Sequence, residues 1–392
     1  NAGSDFPAGL MLEQFTKGRS PTDLQYVWLG FLLRVLARQN AFSPQKVPAS
    51  LKTILSDPTV SIGGVFETVQ KSLEPAFSLL DQLDAGLEQS KSWIFITYDE
   101  LDRVSASDWD QLATIVRGLI QFWSSNSRRW RRLRPKIFLR KDLYDRAAIV
   151  GPDVSKISAQ RLELTWSPRD LYALLAKRFV NQAPEAVKAY LGKMMPEGEQ
   201  RVSLGWFPTA TRLEEYSPMV IRICGDFMGA SAGKGWTFSW IPTHLQDGHG
   251  QVLPRSFLRL FEKAADIEQR NPRAEGDRLL HHSSLRGALD QVSVARVEEF
   301  KEELPWIDRV RLHLLKAGLH VPIERHTLER ELNSIEWPSS VDRPPQATGY
   351  DLVQFLGDLG IFYLRPDDRV DVRDIYLDGF GFKRKGGVKK PF

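Results

Sequence analysis

Residues 93–103 read Trp-Ile-Phe-Ile-Thr-Tyr-Asp-Glu-Leu-Asp-Arg, an apolar run that passes directly into an acidic pair, Asp99 and Glu100. A continuous apolar run of this length is typical of a strand buried on both faces of a parallel sheet. Open α/β sheets bind ligands beyond the carboxyl ends of such strands, where this acidic pair would lie. The stretch therefore predicts a ligand site at Asp99 and Glu100. An ordinary buried strand followed by an N-capped helix is the alternative interpretation.

A second strand is predicted after an intervening helix. Apolar residues recur at helical spacing from Trp109 to Trp123, and a short apolar run at residues 136–139 then ends at Arg140. Strand, helix and strand at this spacing form a right-handed crossover between two parallel strands. We therefore expect Arg140 to lie beside Asp99 at one edge of the sheet.

Three segments carry a resemblance to a known family. They are ITYDELDR at residues 96–103, IFLRKDLYD at residues 137–145 and RLELTWSPRDLYALLAKRF at residues 161–179. Together they resemble the core of AAA+/STAND-type P-loop ATPases, notably bacterial ones found in anti-phage defence islands. The third segment is predicted to contain another strand, residues 161–165, and then a helix with Pro168 in its first turn.

The resemblance assigns roles to four residues and implies ATP and Mg²⁺ as cofactors of an ATP hydrolase. Asp99 would hold Mg²⁺ through water, because this small cation keeps much of its hydration. Glu100 would orient and deprotonate the water that attacks the γ-phosphate. Arg140 matches the sensor-1 position, and Arg255, in a Pro-Arg pair that opens a helix, matches the sensor-2 position. Exposed arginines at a turn and at a helix start are the alternative for these last two residues.

The phosphate-binding loop of this family is missing before Asp99. Such a loop reads GxxxxGK followed by Ser or Thr, because its glycines let backbone N–H groups surround phosphate. The nearest similar stretch, residues 228–235, has Met228 in place of the first glycine and Gly235 in place of Ser or Thr, and it follows Asp99 in the chain. We expect the loop to lie upstream of Asn1, to be absent from this sequence or to have been lost. The start at Asn1, without an initiator methionine, is typical of a piece of a longer protein.

Composition excludes several classes of protein. With 392 residues, 42% apolar and 26% charged, the chain is expected to be soluble and to form two or three globular domains. No run approaches the length of a membrane span and no signal peptide is recognisable, so we expect no membrane partner. A single cysteine, Cys224, excludes a disulfide framework and is typical of a cytoplasmic protein. A net charge of +4 does not indicate a general binder of polyanions.

The densest basic run of the chain lies between the two predicted sheet strands. It surrounds Trp130 with five arginines, namely Arg128, Arg129, Arg131, Arg132 and Arg134. Such a run would bind nucleic acid without sequence preference, with Trp130 stacking on a base, or would be a solvated basic loop. Because the run enters its strand at the amino end, opposite Asp99, we do not expect it to bind the nucleotide.

The C-terminal segment, from residue 305 onward, is predicted to be a winged helix, since its order is helix, strand, helix, helix and two strands. Its presumed recognition helix contains Asp351 and Asp358 and no base-reading arginine or lysine. We therefore expect this module to bind protein rather than duplex DNA. A basic tail, with Lys383, Arg384 and Lys385, is a second candidate for nonspecific contact with nucleic acid.

The sequence as a whole predicts an α/β protein with three parts. These are a P-loop NTPase-like parallel sheet core at residues 1–166, a helical lid at 167–300 and a winged-helix domain with the basic tail at 301–392. The expected function is an ATP-dependent molecular switch that couples nucleotide state to assembly or effector control in anti-phage defence. We expect a homo-oligomer with an effector or sensor protein as partner. The alternatives are a nucleotide-free interaction scaffold and a nucleic-acid-binding winged-helix protein.

Overall fold

The computed structural model describes residues 9–104, 109–147, 159, 161–338, 344 and 348–386. The chain divides into two compact units, residues 1–162 (unit 1) and residues 163–392 (unit 2). The predicted boundary between residues 300 and 301 falls inside one continuous helix, His282–Glu303, of unit 2. The three-part division of the chain stays a prediction.

The described part of unit 1 is mainly helical and contains one pair of strands. Its elements in chain order are α1 (Gly9–Thr16), α2 (Pro21–Arg38), α3 (Ala49–Ser56), α4 (Ile62–Lys71), α5 (Leu73–Gln89), β1 (Ile94–Tyr98), α6 (Trp109–Asn126), β2 (Leu133–Ile137) and α7 (Lys141–Arg146).

Helix α2 forms the centre of the unit 1 core. Its start is fixed by a capping box, in which Ser20 and Asp23 each accept a hydrogen bond from the backbone N–H of the other. The helix packs against α6, where the indole N–H of Trp28 donates to the backbone oxygen of Ile115 at 3.1 Å. At the crossing, a Cβ on Gly118 would lie 2.7 Å from the Cβ of Leu24, so the close approach of the two helices requires glycine there.

The two strands of unit 1 pair in parallel, as the crossover pattern predicts. Ile94 lies opposite Leu133, and Tyr98 lies opposite Ile137. The second strand begins at Leu133, three residues before its predicted start, because its ladder extends into the basic run.

Two expectations about this sheet are wrong. Strand β1 is buried on one face only, because Ile96 is 9% exposed whereas Trp93 and Phe95 on the other face are 49% and 56% exposed. The predicted third strand is also missing, since residues 161–167 form no strand in the structure. Leu162 and Leu164 are 81% and 71% exposed, so the alternation of apolar residues there does not mark burial against a sheet.

Unit 2 combines helices with three small sheets in its described residues. Its elements before the C-terminal module are α8 (Pro168–Gln182), α9 (Pro184–Leu191), β3 (Gly198–Arg201), β4 (Gly205–Pro208), α10 (Ser217–Cys224), α11 (Thr237–Leu245), α12 (Pro254–Arg270) and α13 (His282–Glu303). The predicted helix at Pro168 is present and begins with a capping box between Ser167 and Asp170. Across the described residues of both units, no helix has the length and apolar character needed to cross a membrane.

The elements of the C-terminal module include the predicted helix, strand, helix, helix and two strands in that order, but the first predicted strand is divided into two, and a short helix and a last strand follow. They are α14 (Ile307–Ala317), β5 (His320–Val321), β6 (Ile323–Glu324), α15 (Arg325–Asn333), α16 (Gly349–Asp358), β7 (Phe362–Leu364), β8 (Arg369–Val372), α17 (Asp374–Leu377) and β9 (Lys383–Arg384). Strands β6, β8 and β7 form an antiparallel sheet, and β5 pairs in parallel with β9. The assignment of this module as a winged helix stays a prediction.

Candidate functional site

The parallel pairing in unit 1 brings three of the predicted site residues to one edge of the sheet. The backbone N–H of Phe138 donates to the oxygen of Tyr98 at 2.9 Å, which carries the ladder to the carboxyl ends of both strands. Asp99 and Glu100 follow β1 directly, and Arg140 is the third residue after the end of β2. The edge that the sequence predicts for these residues is therefore present in the described structure.

The backbone at Glu100 adopts a left-handed conformation, with φ of 55° and ψ of 31°. A non-glycine residue in this region carries strain of about 1 to 2 kcal/mol, and such strain is concentrated at functional sites. The turn is stabilised by a hydrogen bond from the Glu100 N–H to the Asp99 carboxylate at 2.8 Å. The side chain of the next residue, Leu101, is buried and anchors the turn to the core. The result is a fixed turn that presents two exposed carboxylates at the end of the strand.

Asp99 suits a hydrated Mg²⁺ ion better than a cation held by protein ligands alone. Its carboxylate is a hard oxygen donor at an exposed strand end. Among the residues that the structure describes, no group of three or more His, Cys, Asp or Glu side chains is placed to hold a metal ion. Mg²⁺ usually keeps several waters beside one or two carboxylates, so a single carboxylate such as that of Asp99 fits this ion.

Arg255 lies in unit 2, near the start of α12. Its side chain is 71% exposed and forms an ion pair with Glu299 of α13 at 3.5 Å. Glu299 also pairs with Arg259 at 3.1 Å and with Arg296 at 2.9 Å. The local structure of α12 therefore does not depend on the Arg255 charge.

The basic run of unit 1 is attached to helix α5 through Asp81, which binds the side chains of Arg129 and Trp130. Arg129 donates to both carboxylate oxygens of Asp81, at 2.8 and 2.6 Å, and this pairing holds the pKa of Asp81 below its usual value. The indole N–H of Trp130 donates to the same carboxylate at 2.9 Å, and the ring is 1% exposed. The prediction that Trp130 stacks on a base is wrong, because its ring is part of the core.

One turn further along α5, the buried carboxylate of Asp84 fixes the backbone of the same run. It accepts hydrogen bonds from the N–H groups of Arg131 at 2.9 Å, Arg132 at 2.7 Å and Leu133 at 3.0 Å. These contacts determine where β2 begins and which face of the sheet its alternate side chains occupy.

An open groove of about 570 Å³ lies beside the basic run. Four arginines of the run line it, Arg128, Arg131, Arg132 and Arg134, together with Ser127, Glu88 and Trp93. Reasoning from the sequence missed Trp93 as part of this surface. The signal was present in the two-residue period, since the bulky side chains at 93 and 95 and the cations at 132, 134 and 136 alternate along adjacent strands.

The predicted basic tail is a strand in its first two residues, and one of its cations is part of the unit 2 core. Arg384 of β9 donates to Asp371 at 3.0 Å and to Asp374 at 2.6 Å. Asp371 is fully buried. The prediction that Arg384 serves nucleic acid is therefore wrong, whereas Lys383 and Lys385 are exposed.

No protein-family model, no curated protein and no solved structure matches this chain.

Proposed function

We propose that this chain is part of an ATP-dependent molecular switch and that the edge formed by Asp99, Glu100 and Arg140 is the hydrolytic half of its nucleotide site. The observation that supports the proposal is the parallel pairing of β1 and β2, because Asp99, Glu100 and Arg140 follow these strands at the carboxyl edge of one sheet. The left-handed backbone at Glu100 supports it, since the fold maintains strain at the residue with the proposed catalytic role.

Each residue of the edge would have a distinct task. Asp99 would hold Mg²⁺ through water, and the cation supplies charge neutralisation on the phosphates when it is bound. Glu100 would orient the attacking water and accept its proton as general base. Arg140 would donate charge-assisted hydrogen bonds to the γ-phosphate. The phosphate-binding loop that this proposal requires is not among the residues of this sequence.

The switch would respond to whether a γ-phosphate is present. A nucleotide state shifts a conformational equilibrium only through contacts that differ between ATP and ADP, and Arg140 would make such a contact. The resemblance of the three quoted segments supports a role in bacterial anti-phage defence, with a homo-oligomer and an effector or sensor protein as partners.

Glu100→Gln in the full-length protein tests the proposal. The amide keeps the shape of the side chain but cannot accept a proton, so ATP hydrolysis should fall by about 100-fold or more while ATP binding persists. Glu67→Gln is the matched control, because Glu67 is an exposed carboxylate of α4 whose contact is an ion pair with Lys71 at 4.0 Å. Hydrolysis by the Glu100 variant within twofold of wild type would refute the assignment. If the full-length protein bound no ATP, the nucleotide-free scaffold would replace the switch.

A further inference from the structure

We infer that the exposed face of the β1–β2 sheet binds single-stranded nucleic acid. This aromatic-basic face consists of Trp93 and Phe95 from the first strand and Arg132, Arg134 and Lys136 from the second. The inference does not depend on the proposed ATP site, which lies at the carboxyl edge of the same strands.

The two aromatic rings lie in a parallel, stacked arrangement, and we call this pair the platform. Their planes are within 11° of each other and their centroids are 6.3 Å apart. About half of each side chain is open to solvent, 49% for Trp93 and 56% for Phe95. Large aromatic side chains in a sheet are usually buried, and exposed neighbours of this kind mark a binding surface. A platform of this kind can stack on the flat face of any unpaired base.

Three cations lie over the rings of the platform because parallel pairing aligns alternate residues of the two strands. The guanidinium carbon of Arg132 lies 4.6 Å from the Trp93 ring centroid, and that of Arg134 lies 6.0 Å from it. The ammonium of Lys136 lies 5.4 Å from the Phe95 ring centroid. Phosphates of a strand whose bases stack on the rings would therefore have a cation close to each stacked base.

The groove beside Trp93 extends the positive surface. Arg128 and Arg131 line it with the two arginines of the face, and Glu88 is the carboxylate among its lining residues. Four guanidinium groups against one carboxylate leave a strong excess of positive charge in a concave surface of about 570 Å³. Such a groove favours a flexible polyanion that can follow it.

Hydrogen bonds to helix α5 fix the basic run that lies next to the platform. The backbone N–H groups of Arg131 and Arg132 are bound by the buried carboxylate of Asp84, and Arg129 is bound by Asp81. The backbone that presents the cations is therefore ordered before any ligand binds, which lowers the entropy cost of binding.

The exposed rings identify the ligand as single-stranded. In a duplex the base faces are stacked on each other, so a duplex would contact the cations and leave Trp93 and Phe95 without a role. An acidic peptide would also contact the cations, but it offers no planar groups that require two exposed aromatic rings. Of these three ligands, an unpaired strand is the one that can contact both the aromatic rings and the cations.

Fluorescence anisotropy of the full chain with a labelled oligonucleotide of roughly 12 nucleotides tests the inference. We expect saturable binding to oligo-dT at low ionic strength and weaker binding to a duplex of the same length. Trp93→Ala should weaken binding roughly 5- to 150-fold, the range for loss of one stacked base, and Trp93→Phe should restore most of the affinity. Arg134→Gln should reduce the slope of log K against log salt by about 0.7, the value for one phosphate contact on a single strand.

Two variants in unit 2 provide matched controls. Trp236→Ala removes a tryptophan that is 54% exposed, and Arg270→Gln removes one exposed positive charge. Both should leave oligonucleotide affinity within twofold of wild type. The inference is overturned if no saturable binding occurs, if Trp93→Ala and Arg134→Gln both leave affinity unchanged, or if the duplex or polyglutamate binds as tightly as the single strand. Circular dichroism of each variant confirms that it is folded.

Discussion

The carboxylate of Asp84 in helix α5 accepts a hydrogen bond from the backbone N–H of Arg132 at 2.7 Å. Arg132 lies 48 residues later in the chain, directly before β2. The same carboxylate binds the N–H groups of Arg131 and Leu133. A buried carboxylate that accepts three backbone hydrogen bonds fixes the backbone of the basic run to helix α5. The arginine side chains of the run then extend toward solvent.

We predict that Asp84→Ala destabilises the protein by about 2 to 3 kcal/mol, because it leaves three backbone N–H groups near the core without an acceptor. Asp84→Asn should cost less, since one side-chain oxygen remains and can accept from Arg132 and Leu133, which share the oxygen Oδ1. Urea unfolding followed by circular dichroism measures both values. Glu88→Ala, at an exposed position of the same helix, should change stability by less than about 0.5 kcal/mol. Equal stability of wild type and Asp84→Ala would contradict this role.

Local patterns in the sequence predict the strand pair but not its surroundings. The spacing of apolar residues predicts β1, α6 and β2, and the handedness rule then places Arg140 beside Asp99. The attachment of the basic run depends on a contact between Asp84 and Arg131, which are 47 residues apart, and no periodicity reports such a distance. A carboxylate within the apolar stripe of α5 is the one local sign that something binds there.

Local sequence patterns also fail to predict whether the second face of a strand is buried. Phe95 belongs to an apolar run, and such a run predicts burial. The ring is nevertheless 56% exposed, because nothing in the described structure covers that face of the sheet. The same reasoning misplaces Trp130, whose basic neighbours indicate a surface although the ring is in the core. The composition of a segment predicts its average environment, whereas the direction of each side chain depends on the tertiary contacts.

Glu268 gives the protein an acid-sensitive stability. Burial alone would raise the pKa of this carboxyl, but hydrogen bonds from the Ser284 hydroxyl and from the N–H groups of Arg273, His281 and Ala274 lower it to about 2. The folded-state pKa is below the usual value of 4.5, so this stabilisation is present above pH 4.5 and is lost as the pH falls toward 2.

We predict that Glu268 contributes up to about 3 kcal/mol at neutral pH, the free energy that corresponds to this lowering of the pKa. Urea unfolding at about pH 6 and about pH 3 should show a smaller loss on acidification for Glu268→Gln than for wild type. Glu262→Gln, at an exposed position of the same helix, should lose as much as wild type. Identical pH dependence of wild type and Glu268→Gln would show that another group is responsible.

Arg384 is predicted to stabilise the C-terminal module rather than to bind nucleic acid. Asp371 is fully buried and is paired with Arg384 at 3.0 Å and with Arg365 at 3.1 Å. Arg384→Gln leaves that carboxylate only partly compensated, so we expect a loss of about 3 kcal/mol in the free energy of unfolding. Lys385→Gln removes an exposed charge next to it and should cost less than about 0.5 kcal/mol. Thermal unfolding of the two variants that gave equal midpoints would exclude the structural role.

Arg140 and Arg255 are predicted to distinguish ATP from ADP, since the resemblance assigns them to the two sensor positions and only ATP presents a γ-phosphate to such residues. Replacing either arginine by glutamine should weaken ATP about 10- to 100-fold, the value of a hydrogen bond to a charged group, and leave ADP within about twofold. Titration calorimetry of the full-length protein with each nucleotide measures the ratio.

Arg255→Gln is the cleaner of these two variants, because Arg259 and Arg296 continue to pair with Glu299 when the Arg255 charge is removed. Its stability should therefore change by less than about 0.5 kcal/mol, the usual value for an exposed ion pair. A loss of ATP affinity in a variant of unchanged stability then reports a nucleotide contact. Equal losses for ATP and ADP, or none for either, would refute the sensor-2 assignment of Arg255 and leave it as a surface residue of α12.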